Sequence, residues 1–178
     1  MTEQEIILGC IRLNKQCQRI LFDQYAGRFM NLCLRYANNQ MEAEDMMQEG
    51  FISIFKNIEQ YKNDGPFGAW MRKIMVNAAL SVLRKKKVQF IDIDQSEAYQ
   101  KSIDTYTYSN LGEEDLMKLI NALPNGYKVV FNLSIIEGFS HEEIAKMLDI
   151  QPATSRSQLV KARKMLQQQI IHLEKIAV

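Results

Sequence analysis

Residues 140–166, SHEEIAKMLDIQPATSRSQLVKARKML, read as two short helices joined at a tight bend, the second one carrying cations. Ser140 is a strong N-cap residue, and Glu143 three positions later completes the pattern of a capping box. Ile144, Ala145 and Leu148 form the inner face of the first helix, and Asp149 and Ile150 make the turn. Pro152 suits the first position of the next helix, where its missing N–H is not needed. On that helix Leu159, Ala162 and Leu166 fall on one side, with small Ser155 one turn before Leu159. The other side presents Thr154, Ser157, Lys161 and Lys164, while Arg156 and Arg163 flank the packed stripe and are long enough to swing outward. No acid occurs between Ile150 and Ile171. Two readings fit. In one, a helix-turn-helix offers Thr154, Arg156 and Ser157 to base edges in a DNA major groove. In the other, an ordinary helical hairpin has a solvated basic face.

Around this segment, helical spacing of apolar residues recurs through nearly the whole 178-residue chain, which predicts an all-α protein of two helical domains. Leu21, Tyr25, Phe29, Leu32 and Tyr36 form one stripe, which stops near Asn38-Asn39. A helix is expected from about Ala43 to Ile58, with Met47, Phe51, Ile54 and Ile58 inward. Asn63-Asp64-Gly65-Pro66 breaks the chain, and a further helix runs from Phe67 into the basic stretch Arg84-Lys85-Lys86-Lys87. Residues 88–112 lose the helical period and read as a polar, flexible linker between a domain at 1–87 and a domain at 113–178. The start of that linker, Val88 to Asp94, also fits a short strand, but no second strand stands ready to pair with it. Helices are expected again over Glu113–Leu123 and Tyr127–Ile136, closed by Pro124 and Gly138.

A formal net charge of +1 says nothing for or against nucleic-acid binding, so such a role must rest on local clusters of cations. Cys10, Cys17 and Cys33 contain no CxxC pair and read as buried reduced thiols, not as metal ligands. The N-terminal segment carries acids where a signal peptide needs cations, and no apolar run reaches the roughly 18 residues of a membrane span. A soluble cytoplasmic protein without membrane insertion is the expectation.

In the N-terminal module, a helical wheel over residues 43–58 and the preceding Glu42 places Glu42, Asp45, Glu49 and Ser53 outward, together with Met46 and Ile52. That face fits docking onto a basic, partly apolar protein surface, or else a solvated face with stray apolar residues. On the next helix Trp70, Lys73, Asn77 and Arg84 share a stripe. Phe67 and Trp70 beside Lys73 suit stacking on unpaired bases, and the loop at Asn63–Pro66 suits a base turned out of the duplex; aromatics near a helix start also commonly pack in a core.

Three segments, EAEDMMQEGFISIF (42–55), GPFGAWMRKIMVNAALSVLRKKK (65–87) and LPNGYKVVFNLSIIEGFSHEEIAKMLDIQPATSRSQLVKAR (123–163), resemble in order and spacing the bacterial sigma factors of the extracytoplasmic-function type, within the sigma-70 family. The resemblance implies a dissociable initiation subunit of RNA polymerase. Its region-two domain would be a three- to four-helix bundle and its region-four domain a helix-turn-helix. It further implies that Asp45, Gln48, Glu49 and Phe51 grip the polymerase clamp coiled coil. Asn63, Asp64, Gly65, Phe67, Trp70, Lys73, Asn77 and Arg84 would recognise and open the minus-ten element, with Lys85 and Lys86 following phosphates. Thr154, Arg156, Ser157, Lys161 and Arg163 would read the minus-thirty-five element while region four also docks on the flap. An anti-sigma factor is the implied inhibitor. The chain departs from the family pattern at Ser81 (usually an acid), Asp149 (often Gly), Ser155 (usually Val) and Gln158 (usually a cation). Of these, Asp149 tolerates a left-handed turn, Ser155 is expected to loosen the recognition helix slightly, and Gln158 to change one DNA contact.

No Gly-rich phosphate loop is present, and no catalytic residue, cofactor or metal is expected. Two other classes share the helix-turn-helix: a free-standing repressor or activator, for which no zipper heptads provide a dimer surface, and an adaptor whose basic helix binds an acidic protein.

Overall fold

The computed structural model describes residues 1–85 and 112–176, and every regular element among them is helical. The chain divides into two compact units, Met1–Lys86 and Lys87–Val178. The expected linker and the alternative strand at Val88–Asp94 lie outside the described residues.

The first unit holds α1 (Glu3–Ile11), α2 (Lys15–Leu34), α3 (Gln40–Asn57), a 3₁₀ turn (Ile58–Gln60) and α4 (Phe67–Lys85). Its N-terminal stretch forms two helices, of which the sequence showed only the apolar stripe from Leu21 to Tyr36 on the second. Thr2 and Glu5 close a capping box at the start of α1, and Asn14 caps α2 by accepting from the N–H groups of Gln16 and Cys17 at 2.9 and 3.2 Å. Between them Leu13 takes a left-handed φ of 58°, a break that no Gly or Pro announces.

α3 starts three residues earlier than its apolar period suggests, because the Asn39 side chain accepts from the Glu42 N–H at 2.9 Å. α3 packs most extensively on α4 and also against α2, so its buried arc is wide. At the α3–α4 crossing, a Cβ on Gly50 would come within 2.2 Å of Met75 Sδ; only a glycine lets the two helices approach this closely without displacing that side chain. Phe51 is the hub of an aromatic cluster, with ring centroids 4.7 Å from Phe22, 5.7 Å from Phe29 and 6.1 Å from Phe55.

The three thiols are free and buried, as expected. Burial pushes the Cys10 thiol up from its ordinary 9.0 to about 11, with Cys17 adding to the shift, and burial pushes Cys33 up to about 12. In the unfolded chain these protons leave first. The stabilisation they represent is therefore fully present below about pH 9 and is lost as pH rises toward 11–12. Two results are expected. The native protein resists iodoacetamide at pH 8 yet is alkylated at all three cysteines once denatured, and its melting temperature falls above about pH 9. Full alkylation of the native protein would show that the thiols are accessible.

The second unit holds α5 (Glu113–Asn121), α6 (Asn125–Phe131) running into a π-helical turn (Asn132–Ile136), α7 (His141–Leu148) and α8 (Pro152–Ile176). Leu119, Ile120, Leu123, Ala162, Leu166 and Leu173 make a common core flanked by Tyr127, Phe131 and Met165. The chain reverses before α7 at Gly138, whose φ of 78° is costly for a residue with a side chain.

Candidate nucleic-acid and docking interfaces

The helix-turn-helix is built from local rules. Ser140 N–H donates to Glu143 Oε2 at 2.9 Å and Ser140 Oγ accepts from the Glu143 N–H at 3.2 Å, completing the capping box. Asp149 adopts the left-handed conformation (φ 56°, ψ 49°) at the joint, and the Ile150 N–H donates to the Ala145 carbonyl at 3.0 Å. Ile144, Ala145 and Leu148 are buried, as are Ser155, Leu159, Ala162 and Leu166 on α8. The expected recognition face is available: Arg156, Arg163 and Lys164 are exposed, and Thr154, Ser157 and Lys161 are half-buried. Ser157 Oγ donates to the Thr154 carbonyl at 3.0 Å, which ties these two hydroxyl residues together.

Two expectations about α8 are corrected. Ser155 does not loosen the helix: it is fully buried and its Oγ lies 2.9 Å from His141 Nδ1, a hydrogen bond between α7 and α8. Gln158 is 1% exposed and faces the interior, so it cannot serve as a DNA contact.

In the first unit, α4 opens beside a cleft of about 260 Å³ lined by residues that include Tyr61, Lys62, Asp64, Gly65, Pro66 and Trp70. Asn63 holds a left-handed φ of 62°, and the Tyr61 hydroxyl lies within hydrogen-bonding reach of the Gly65 carbonyl and of Asn63 Oδ1 at 3.2 Å. Asn63, Asp64 and Gly65 are exposed and Trp70 is half-buried. Phe67 is corrected: at 1% exposure it is a core residue behind the two cleft aromatics, its ring 5.6 Å from Trp70 in a near-parallel stack and 4.9 Å from Tyr61. Tyr61 was missed in the sequence because it stands at the frayed end of one helix and before the loop residues, with no periodic partner. Beyond the cleft, Lys73, Asn77, Arg84 and Lys85 are exposed along α4, and Lys86 lies outside the described residues.

On α3 the exposed ridge consists of Asp45, Gln48, Glu49 and Ile52. Phe51, which the resemblance placed in the docking set, and Met46 and Glu42, which the wheel placed outward, are not on it. Phe51 is 4% exposed and belongs to the aromatic core. Met46 is fully buried. Glu42 is also buried, where its Oε2 accepts from the Asn38 N–H at 2.8 Å and from Asn38 Nδ2 at 3.0 Å, holding the α2–α3 turn. Glu49 reaches Lys85 across the helix pair at 3.8 Å. Among the described residues no group of three or more His, Cys, Asp or Glu could hold a metal, and no helix is long and apolar enough to cross a membrane.

Two family models match the chain. The model for Sigma-70 region 2 matches residues 21–88, spanning the α3 ridge and the α4 cleft, and that for Sigma-70, region 4 matches residues 113–166, including the helix-turn-helix. The chain is an extracytoplasmic-function member of the sigma-70 family. As a sigma factor it is a non-catalytic component of transcription initiation. It is 27% identical over 182 residues to the ECF RNA polymerase sigma-E factor of Haemophilus influenzae, covering 96% of both chains. It is 32% identical over 152 residues to the ECF RNA polymerase sigma factor SigE of Mycolicibacterium smegmatis, covering 82% of this chain and 58% of the relative. Two solved structures share the sigma fold. One is CnrH in complex with the cytosolic domain of CnrY (TM-score 0.51, 15% identity, 96% and 97% coverage). The other is the sigma factor RpoE of Bartonella quintana in complex with the anti-sigma factor NepR (TM-score 0.53, 21% identity, 84% and 94% coverage).

Proposed function

We propose that this sigma factor acts in the cytoplasm, joins core RNA polymerase and directs it to promoters that it both recognises and opens. The region-two domain, residues 1–87, docks its Asp45, Gln48 and Glu49 ridge on the polymerase clamp coiled coil, and the exposed apolar Ile52 widens that contact. The same domain takes a minus-ten base into the cleft lined by Asp64, Gly65 and Trp70, with Asn63 in the same loop, while Lys73, Asn77, Arg84, Lys85 and Lys86 follow the strand. The region-four domain, residues 113–178, sets α8 in the major groove at the minus-thirty-five element and docks on the flap. There Thr154, Arg156 and Ser157 meet bases and Lys161 and Arg163 meet phosphates. Residues 88–112 join the two, and an anti-sigma factor competes for the same surfaces.

One observation carries this reading: an aromatic-walled cleft opens at the head of the cationic stripe on α4, and the far end of that stripe meets the acidic ridge of α3 where Lys85 reaches Glu49. Opening the duplex needs no nucleotide hydrolysis. Stacking a captured base is worth about 1–3 kcal/mol, the same order as the unstacking it offsets. Neither domain needs to bind DNA strongly alone, because polymerase holds both at high effective concentration.

Transcription in vitro with core polymerase plus this protein, followed by sequencing of the transcripts, tests the proposal. Initiation from a defined set of promoters supports it, and a failure to redirect the enzyme refutes it. Arg156→Ala is expected to weaken promoters that depend on the upstream element by about 1–3 kcal/mol, roughly 5- to 150-fold, while promoters that do not depend on it are spared. Equal activity on all promoters would remove Arg156 from the reading surface.

A further inference from the structure

Consecutive residues at the start of α7 reach consecutive residues in the first turn of α8. His141 Nδ1 lies 2.9 Å from Ser155 Oγ, and Glu142 Oε1 lies 3.5 Å from Arg156 Nη1. The first contact is buried on the α8 side, where Ser155 is fully enclosed, and it adds a directional bond to the apolar packing of the two helices. The second lies at the surface, with the side chains of Arg156 and Glu142 55% and 66% exposed. The inner pair thus stands one residue from the outer pair on both helices.

We propose that Glu142 is a specificity-determining positioning residue of the recognition helix: it holds the Arg156 guanidinium toward one base edge and reduces the charge that would draw Arg156 to any phosphate. This rests on the reading of α8 as the DNA-contacting helix. An exposed arginine at a helix start is a flexible cation with several low-energy arrangements, and sequence-independent phosphate contacts are the main attraction open to it. A carboxylate on one nitrogen restricts the side chain yet leaves most of its five donors free for a base. It also places a negative charge close to the DNA surface, which weakens contact with mismatched sites in which no base repays the approach. Glu142 is an acid in the first turn of α7 as well, so it favours that helix through the dipole. That structural role would alter stability and overall activity, but not the ratio between matched and mismatched promoters.

The test uses holoenzyme assembled from core polymerase and the full chain, on templates that differ by single base pairs in the upstream element. For the wild type, Glu142→Gln, Glu142→Asp, Arg156→Ala and the double variant E142Q/R156A, initiation is measured as a matched-to-mismatched ratio, alongside thermal melting. Glu142→Gln is expected to lower the ratio about three- to tenfold at the base pair that Arg156 discriminates. Binding to mismatched DNA rises about two- to fivefold at 0.1 M salt. Glu142→Asp recovers most of the ratio, and the double variant resembles Arg156→Ala alone. The proposal is overturned if Glu142→Gln leaves the ratio unchanged while Arg156→Ala lowers it, whether or not the melting temperature drops. It is overturned equally if the two substitutions act additively at different base pairs, since Glu142 would then read a base of its own. An Arg156→Ala variant with an unaltered ratio would bring down both this inference and the assignment of Arg156 to the reading surface.

Discussion

Reversing Asp45 and Glu49 to Lys is expected to abolish co-elution of the protein with core RNA polymerase while its helical content stays unchanged. Both side chains are exposed on one ridge of α3, and the pair that Glu49 makes with Lys85 of α4 is solvent-exposed, so reversing their sign costs the fold little. Against a basic docking partner each reversal replaces an attraction with a like-charge contact, and such contacts cost several kcal/mol together. The expected loss is about 3–6 kcal/mol, two to four orders of magnitude in affinity. Glu49→Lys also sets two cations side by side, because Lys85 lies 3.8 Å from the carboxylate, but both groups are well exposed and solvent screens the repulsion. Circular dichroism checks the fold and gel filtration with core polymerase checks the docking. Retained co-elution at physiological salt would place the docking surface elsewhere.

Phe51→Ala is expected to lower the stability of the first unit by about 3–5 kcal/mol, visible as an earlier unfolding transition in heat or urea. The ring is 4% exposed and sits between Phe22, Phe29 and Phe55, so truncation leaves a cavity among three aromatics. Small domains hold only about 5–15 kcal/mol of stability in total, so this single change brings the unit near its threshold. The outcome separates two roles for the same residue. If Phe51 were a docking residue, its loss would spare the transition and weaken polymerase binding; as a core residue, it moves the transition first and binding only as a consequence. Phe51→Leu, which retains much of the volume, is expected to be milder.

What the sequence made legible and what it hid follow from the range of the interactions involved. The capping box at Ser140, the left-handed turn at Asp149, the start of α8 at Pro152 and the packed stripe of Leu159, Ala162 and Leu166 are all set within a few residues, and each is found where expected. The errors on α3 have a different origin. A helical wheel allows one buried arc, whereas α3 is covered by both α2 and α4, and so Met46 and Glu42 turn inward with the apolar stripe. Glu42 was further disguised because its partners are the backbone and side chain of Asn38, and a carboxylate satisfied locally looks in sequence like any surface acid. Ser155 was read as a loss of packing because its partner, His141, is fourteen residues away on another helix. The family itself was legible from three motifs in order, which requires no knowledge of individual contacts.

The glycine at position 50 links the two faces of the first unit. The Met75 side chain of α4 lies where a Cβ at position 50 would sit, so any larger residue there must push Met75 aside or spread the two helices. With α3 as the proposed docking helix and α4 as the proposed DNA-facing one, a bulky residue at position 50 is expected to disturb both functions at once while leaving every residue of either surface unchanged.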